Sequence, residues 1–311
     1  MSRAWTASDV PDQSDRTVVV TGATSGLGLA SAKVLAAAGA RVLLAARNPA
    51  KAEGARVDVA SGATGPEPEV VVADLADLES VRAAADDIAS RVDSVDVLMN
   101  NAGVMALPLA RTVQGFEMQL GTNHLGHFAL TGLLLPRLLA APAARVVTTS
   151  SNAHKMGRMR WDDLHSDRRY RRWPAYSQSK LANLLFTYEL DRRARAADRP
   201  LVAAAAHPGY AATHLQAAAP EASGRALVGQ VMELGNTLFA QSAAGGALPQ
   251  LYAATMPDVR GGDYFGPDGL GEMRGTPVRV SSTRRARDRD AAARLWELST
   301  RLTGVSYDWG A

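Results

Sequence analysis

The strongest constraint on the fold is an alternation of short apolar runs with longer amphipathic stretches along most of the chain. Strands that alternate with helices of 10–15 residues are typical of βαβ units, which build a parallel sheet. The apolar runs are almost continuous, as expected for strands covered by helices on both faces. The predicted strands are 17–21, 40–45, 69–73, 95–99, 144–150 and 201–206. The sequence therefore predicts a single-domain α/β fold of the Rossmann type, with a doubly wound parallel sheet and helices on both faces.

The composition is that of an ordinary globular protein. The chain has 311 residues, of which 47% are hydrophobic and 21% charged, and these fractions exclude disordered and fibrous classes. The absence of cysteine excludes disulfides, zinc–thiolate sites, iron–sulfur clusters and a cysteine nucleophile. The predicted divisions are an N-terminal tail (1–15), one domain (16–280) and a C-terminal helical extension (281–311).

No segment of the sequence is typical of export or membrane insertion. Residues 1–15 are polar and lack the apolar core of a signal peptide. The most apolar helical run, 130–141, is too short to cross a bilayer. We therefore predict a cytoplasmic protein without a membrane partner. A net charge of +3 and one short arginine-rich stretch, 167–173, fall short of the basic face that nucleic-acid binding needs, so we predict no nucleic-acid partner.

A glycine-rich turn follows the first predicted strand, with the spacing G-x-x-x-G-x-G. Small residues let the backbone turn tightly and approach a pyrophosphate, and the N-terminus of the next helix presents N–H groups to that anion. An isolated match would fit a β–α turn without a ligand equally well. Its place between a strand and a helix favours a dinucleotide site. The residues of this turn are Gly22, Thr24, Ser25, Gly26, Leu27 and Gly28.

The end of the second predicted strand indicates which dinucleotide binds. In dinucleotide-binding folds an acidic residue about 20 residues after the last glycine binds the ribose 2′-hydroxyl. Here the sequence reads Ala46-Arg47-Asn48, without a carboxylate. The Arg47 guanidinium can pair with a 2′-phosphate, so we predict NADP(H) in preference to NAD(H). The alternative is that Arg47 is a surface residue without influence on the cofactor.

Further cofactor candidates lie near the same strands. Ser25 and Asn48 could assist Arg47 at the phosphate. Asp74, followed by Leu75, ends the third predicted strand and could accept a hydrogen bond from the adenine amino group. The alternative for Asp74 is a cap on the following turn.

A tyrosine and a lysine in the sequence Tyr176-Ser-Gln-Ser-Lys180 lie at the start of a long predicted helix. Residues at i and i+4 share one helix face, so an ammonium stands beside a phenol. A nearby cation stabilises the phenolate and lowers its pKa from about 10 toward neutral pH. Such a pair can act as a general acid or base, although a lone Tyr-x-x-x-Lys is often a surface pair.

Other polar residues are predicted at the same edge of the sheet. The carboxyl ends of parallel strands form the ligand crevice of a doubly wound fold, and several predicted strands end there in polar residues. These are Asn101-Ala102-Gly103 after the fourth strand, Ser150-Ser151 after the fifth and His207-Pro208-Gly209 after the sixth, with Asn123 and Thr213 farther along.

This set of motifs resembles the short-chain dehydrogenase/reductase family over about residues 15–280. The resemblance implies that the turn glycines hold the pyrophosphate and that Asn101, Ala102 and Gly103 stabilise the sheet beside the cofactor. It implies that Tyr176 is the general acid or base, Ser151 binds the substrate oxygen, Lys180 binds the nicotinamide ribose and Asn123 holds a relay water. It further implies nicotinamide contacts at Pro208, Gly209 and Thr213.

Within the family the chain looks most like the retinol-dehydrogenase and protochlorophyllide-reductase-like branch. The motifs behind this likeness are Asn123-His-Leu-Gly-His-Phe128 and Tyr176-Ser-Gln-Ser-Lys-Leu-Ala-Asn183. Ser151 and Tyr176 are farther apart than in many family members, which leaves Ser150 as an alternative to Ser151.

The implied function is the interconversion of a carbonyl and an alcohol by hydride transfer, with Tyr176 moving the proton. Alternatives are reduction of a carbon–carbon double bond and a dinucleotide-binding sensor without turnover. An apolar lid predicted at 209–240 favours an apolar or aromatic substrate, and we expect a homodimer or homotetramer without a metal. The substrate-contact candidates are His154, Tyr210, His214 and Leu215.

Overall fold

The computed structural model describes residues 4–209 and 242–310. These residues form one α/β domain around an eight-stranded sheet, with the strand order β3-β2-β1-β4-β5-β6-β7-β8. All neighbouring strands are parallel except β7 and β8. The strands are β1 Thr17–Thr21, β2 Arg41–Ala46, β3 Glu69–Val72, β4 Val97–Asn100, β5 Ala144–Thr149, β6 Leu201–Ala206, β7 Tyr264–Pro267 and β8 Pro277–Arg279. The predicted doubly wound fold is confirmed.

Helices cover both faces of the sheet. Along β1, Val19 packs into one apolar cluster with the helices at 78–91, 126–133, 172–196 and 289–303, whereas Val18 and Val20 pack into the opposite cluster with the helices at 26–37 and 243–255. Because both faces of the sheet are buried, the strands do not alternate between apolar and polar residues, and this accounts for the continuous apolar runs. The helices are α1 Gly26–Ala37, α2 Pro49–Ala60, α3 Leu78–Arg91, α4 Met118–Leu120, α5 Gly126–Leu133, α6 Leu135–Leu139, α7 Arg172–Ala196, α8 Ala243–Thr255 and α9 Arg289–Thr303.

The helical segment between β4 and β5 is interrupted. A π-helical turn, Gly121–Leu125, separates α4 from α5, and Pro136 lies in the first turn of α6. The side chain of Glu117 caps α4 by accepting hydrogen bonds from the amides of Gln119 and Leu120. This interruption places Asn123 inside the π turn, a feature that is frequent at functional sites.

The direction in which the strand order runs reverses at β1, which has β2 on one side and β4 on the other. In open α/β sheets the carboxyl ends at this reversal form the crevice where ligands bind. The sequence analysis did not predict β7 and β8, because each is short and contains glycine or proline. Within residues 4–209 and 242–310, no helix combines the length and the apolar character needed to cross a membrane.

Four histidines of the described residues are buried, and burial lowers the pKa most strongly for three of them, His124, His127 and His207. His124 packs against Phe128 and Phe186, with its Nε2 atom 2.8 Å from the Ser299 hydroxyl oxygen. Burial lowers the pKa of His124 to about 3, and it lowers the pKa values of His127 and His207 to about 4. All three imidazoles are therefore neutral in the folded protein at neutral pH.

Acidification below about pH 6.5 is expected to destabilise the protein through these histidines. The unfolded chain takes up protons that the folded chain excludes, so the free energy of unfolding falls by up to about 1.4 kcal/mol per pH unit for each histidine. Urea denaturation at pH 7, 6 and 5 should show a shallower fall for His124→Gln than for the wild type. Parallel pH dependences of the two proteins would contradict a neutral, buried His124.

Candidate active site

A cleft of about 520 Å³ lies at the carboxyl ends of β1 to β4. Twelve of the predicted cofactor residues line it, and they come from the glycine-rich turn, the ends of β2 and β3 and the segment after β4. They are Gly22, Thr24, Ser25, Gly26, Leu27, Arg47, Asn48, Asp74, Leu75, Asn101, Ala102 and Gly103. The topology thus brings together residues that are far apart in the sequence.

The glycine-rich turn is packed tightly against the segment after β4. Gly22 and Gly26 adopt φ angles of +68° and +56°, in the left-handed region that favours glycine. Gly28 lies behind the cleft wall, where an added Cβ would collide with the Gly22 carbonyl oxygen and lie 2.6 Å from Asn101 Nδ2. The first turn of α1 therefore approaches the cleft closely, with the N–H groups of its N-terminus at an anion-binding position.

The end of the cleft beside β2 and β3 carries two cations and one carboxylate. Arg47 and Lys51 line it and are exposed. The Asn48 side chain caps α2 by accepting a hydrogen bond from the Lys51 amide at 3.0 Å. Asp74 accepts a hydrogen bond from the Ala76 amide at 2.9 Å, so the turn-capping alternative holds while Asp74 also lines the cleft. Lys51, one helical turn beyond Arg47, was not among the predicted cofactor residues.

Tyr176 and Lys180 lie side by side on α7, in a buried position. Tyr176 is 6% exposed and Lys180 4%, and the ammonium lies 5.8 Å from the centre of the phenol ring. Lys180 Nζ donates a hydrogen bond to the Thr149 carbonyl oxygen at 3.1 Å. The Ser151 hydroxyl lies near enough to the Tyr176 phenol to favour its ionised form, whereas the Ser150 hydroxyl donates to the Lys180 carbonyl oxygen at 2.8 Å. Of the two serines, Ser151 is therefore the one beside the phenol.

The pKa of Tyr176 is shifted in the direction opposite to the sequence-based expectation. Burial raises the pKa of Tyr176 above its ordinary value, and the hydrogen bond with Ser151 only partly offsets this. Burial also lowers the pKa of Lys180 to about 8. The expectation considered only the cation, but loss of solvent penalises both charged forms. The phenol is thus protonated at neutral pH.

Asn123 is fixed by its side chain between α7 and the segment after β4. Its Nδ2 atom donates to the Val104 carbonyl oxygen and to the Ser179 hydroxyl, each at 2.9 Å, and its Oδ1 atom accepts from the Val104 amide at 2.7 Å. A Cβ added at Gly103 would lie 3.1 Å from Asn123 Oδ1 and 3.4 Å from Lys180 Nζ. The three predicted residues therefore meet at one point beside the cleft.

The structure does not support a substrate contact at His154. This residue is buried, its Nδ1 atom is 2.7 Å from the Ser151 carbonyl oxygen, and its Nε2 atom accepts from the Thr283 amide at 3.4 Å. Both ring nitrogens are thus engaged within the protein.

The remaining predicted contacts lie at or beyond the end of β6. Pro208 and Gly209 are half-buried and do not line the cleft. An added Cβ at Gly209 would collide with the Met273 carbonyl oxygen. Tyr210, Thr213, His214, Leu215 and the rest of the predicted lid up to residue 240 lie outside the described residues. In residues 4–209 and 242–310 no three histidine or carboxylate side chains cluster as a metal site would require.

Comparisons with known proteins identify relatives of this chain. A family model described as short chain dehydrogenase matches residues 16–224. Human retinol dehydrogenase 14 is 38% identical over 93% of this chain and 87% of its own length. A solved structure of an uncharacterised protein from Mycobacterium paratuberculosis is 46% identical, covers 98% of this chain and 100% of that chain, and has a TM-score of 0.81.

A more distant solved structure contains a dinucleotide. It is assigned as an NAD(P)-dependent gluconate 5-dehydrogenase from Beutenbergia cavernae, with bound NADP at low occupancy. It is 28% identical to this chain, with a TM-score of 0.61. The match covers 78% of this chain and 91% of the solved one.

The prediction of a cytoplasmic location is wrong, because these comparisons contradict it. It rested on the lack of an apolar leader or membrane segment, whereas the relatives that overturn it are retinol dehydrogenases. Retinol is an apolar alcohol that partitions into lipid, so the polarity of the N-terminal residues does not decide where an enzyme related to these proteins works.

The family model covers more than half of the chain, and the relatives match almost all of it. The strand order is that of the predicted doubly wound fold, the glycine-rich turn lines the cleft, and Tyr176 and Lys180 lie side by side on α7. The chain belongs to the short-chain dehydrogenase/reductase family, whose members are oxidoreductases that use NAD(P) cofactors.

Proposed function

We propose that this protein interconverts an apolar carbonyl compound and its alcohol with NADP(H), and that Tyr176 moves the proton. The observation that carries the proposal is a buried Tyr176 beside a buried Lys180, whose ammonium lies next to Gly103 of the dinucleotide-type cleft. A surface Tyr-x-x-x-Lys pair would be solvated and would have no hydroxyl partner from another element.

Each residue of the site has a separate role in carbonyl reduction. The bound nicotinamide supplies the hydride for reduction and accepts it in oxidation. Ser151 donates a hydrogen bond to the substrate oxygen, which places that oxygen beside the phenol. Tyr176 then gives its proton to the oxygen as negative charge develops there. Lys180 stabilises the resulting phenolate, and the burial of both groups strengthens this attraction.

The cleft has the features that a dinucleotide phosphate requires. The turn around Gly22 and Gly26 and the N-terminus of α1 suit the pyrophosphate. Arg47 and Lys51 stand together where a ribose 2′-phosphate would lie, and no carboxylate follows β2 to bind a free 2′-hydroxyl. Two cations at one phosphate favour NADP(H) over NAD(H).

The proposed substrate is an apolar alcohol or aldehyde. On the catalytic side, the cleft wall is formed by apolar side chains, including Val104, Met105, Leu107 and Met118. Such a wall stabilises an apolar molecule and offers few polar partners. The names of the retinol dehydrogenases that this chain resembles support the same class of substrate.

Replacing Tyr176 with Phe should reduce kcat by at least about a hundredfold, because the proton donor is removed while the ring is retained. The dissociation constant for NADPH, measured by fluorescence titration, should change by less than about threefold, because only one hydroxyl is lost. Tyr188→Phe is the matched control, since Tyr188 is on the same helix and its hydroxyl bonds Ser282. Substantial turnover by Tyr176→Phe would refute the role of Tyr176.

Replacing Arg47 with Ala should raise the KM for NADPH by about tenfold or more and leave the KM for NADH nearly unchanged, because a charge-assisted bond to the 2′-phosphate is worth about 1.5–3 kcal/mol. Lys51→Ala should act in the same direction. Arg301→Ala, an exposed change on α9, serves as the control. Steady-state kinetics with both cofactors measures the effect. Equal changes for NADPH and NADH would contradict a 2′-phosphate site.

A further inference from the structure

A groove of about 570 Å³ lies between the segment after β4 and the start of α7, outside the dinucleotide-type cleft. Its walls combine apolar and aromatic side chains with two arginines. The residues that line it are Pro108, Leu109, Tyr170, Arg171, Arg172, Trp173 and Pro174. A space of this size accepts a small molecule or a long arm of one. The two arginines belong to the arginine-rich stretch 167–173, to which the proposed function assigns no role.

This groove borders the catalytic end of the cleft. Leu107 lines the cleft, and the next two residues of the chain line the groove. On the other wall, the Trp173 indole meets the Tyr176 ring edge-on, with 6.1 Å between the ring centres. The Tyr170 hydroxyl donates to the Leu107 carbonyl oxygen at 2.7 Å and so joins the two walls. A molecule that reacts at Tyr176 is therefore placed to extend past Trp173 into the groove.

The groove exposes two large apolar side chains to solvent. Leu109 is 52% exposed and Trp173 is 51% exposed, although both line the same cavity. Apolar surface of this kind gains free energy when an apolar ligand covers it. The part of a substrate that lies in the groove is therefore apolar.

The arginines of the groove have no acidic partners in the part of the chain that the structure describes. Arg171 and Arg172 are exposed, and neither forms an ion pair with a carboxylate of residues 4–209 or 242–310. The neighbouring Asp167 carboxylate pairs with Arg111 at 2.6 Å instead. In contrast, three arginines farther along α7 form ion pairs with acidic residues of the same helix. Guanidinium groups bind carboxylates through paired hydrogen bonds, so the groove is complementary to an anion attached to an apolar body.

We propose that this groove selects substrates with a carboxylate at the end remote from the reacting carbon, and that Arg171 and Arg172 bind this carboxylate. The inference rests on the proposed function and narrows its substrate class to apolar aldehydes or alcohols with an anionic end. The chemistry at Tyr176 is unchanged. Arg171 and Arg172 determine specificity and touch only the far end of the substrate.

Two aldehydes that differ only in charge test the proposal. ω-Oxodecanoate and its methyl ester have the same chain and the same reacting group, and the wild type should use the acid more efficiently. In Arg171→Gln/Arg172→Gln the ratio of kcat/KM for the acid to kcat/KM for the ester should fall about fivefold or more, since an exposed charged contact is weaker than a buried one. The loss should appear in KM, because the contact is the same in the ground state and the transition state. Salt should weaken the preference of the wild type for the acid.

Two further variants control for charge. Arg171→Lys/Arg172→Lys should restore part of the preference for the acid, because the charge is kept although the paired hydrogen bonds are lost. Arg284→Gln/Arg301→Gln removes two exposed cations that do not line the groove, so it should leave the ratio of acid to ester unchanged.

A binding measurement tests the groove without turnover. Decanoate has the chain and the carboxylate but no aldehyde, so it binds without reacting. Calorimetric titration of the wild type with decanoate should give a dissociation constant about fivefold or more below that of Arg171→Gln/Arg172→Gln.

The outcomes distinguish this inference from the proposed function. Equal use of acid and ester by the wild type, or a ratio that Arg171→Gln/Arg172→Gln leaves unchanged, would overturn the proposal. Binding to phosphatidylserine vesicles that depends on the two arginines, without a preference for the acid, would assign them to a lipid surface and overturn it as well. Absence of turnover on any carbonyl or alcohol would refute the proposed function. The titration with decanoate would then still decide whether the two arginines bind a carboxylate.

Discussion

The hydrogen bonds between Thr21 and Asn101 hold the carboxyl ends of β1 and β4 together, and the rest of the site depends on this junction. Asn101 Nδ2 donates to the Thr21 carbonyl oxygen at 2.7 Å, and the Asn101 amide donates to the Thr21 hydroxyl oxygen at 2.9 Å. Gln250 on α8 donates to Asn101 Oδ1 at 3.2 Å from the opposite layer. With the junction fixed, Gly22 and Gly28 can pack against Asn101, and the first turn of α1 reaches the cleft. These bonds are buried, so leaving any partner unpaired would cost about 1–3 kcal/mol.

Burial decides the electrostatics of the Tyr176–Lys180 pair. Loss of solvent raises the pKa of Tyr176 above its ordinary value and lowers that of Lys180 to about 8, so the two pKa values move apart. At neutral pH the phenol keeps its proton, which is the form that can protonate a substrate oxygen during reduction. The hydrogen bond from Lys180 to the Thr149 carbonyl oxygen holds the ammonium on the buried side of α7. The site thus relies on position and low polarity, without a carboxylate partner for Lys180 among the described contacts.

Local patterns in the sequence predicted the strands and the Tyr176–Lys180 pair, because each depends on nearby residues. The apolar runs gave β1 to β6 within a few residues of their observed bounds, and i,i+4 spacing placed Tyr176 beside Lys180. Features that depend on tertiary contacts were missed. The π turn around Asn123 carries no periodic signal, and Lys51 becomes relevant only once α2 is packed beside the cleft. His154 was misjudged because its distance from Ser151 in the sequence does not reveal that it points into the core.

The proposed NADP(H)-dependent chemistry at a carbonyl carbon can be tested directly. The measurement is the consumption of NADPH and of NADH, at matched concentrations, with a panel of apolar aldehydes, ketones and enones, followed by identification of the product. We expect oxidation of NADPH at least about ten times faster than of NADH, with an alcohol as the product, consistent with one charge-assisted phosphate contact. Faster oxidation of NADH, or a product in which the carbonyl is intact and a carbon–carbon double bond is saturated, would contradict it.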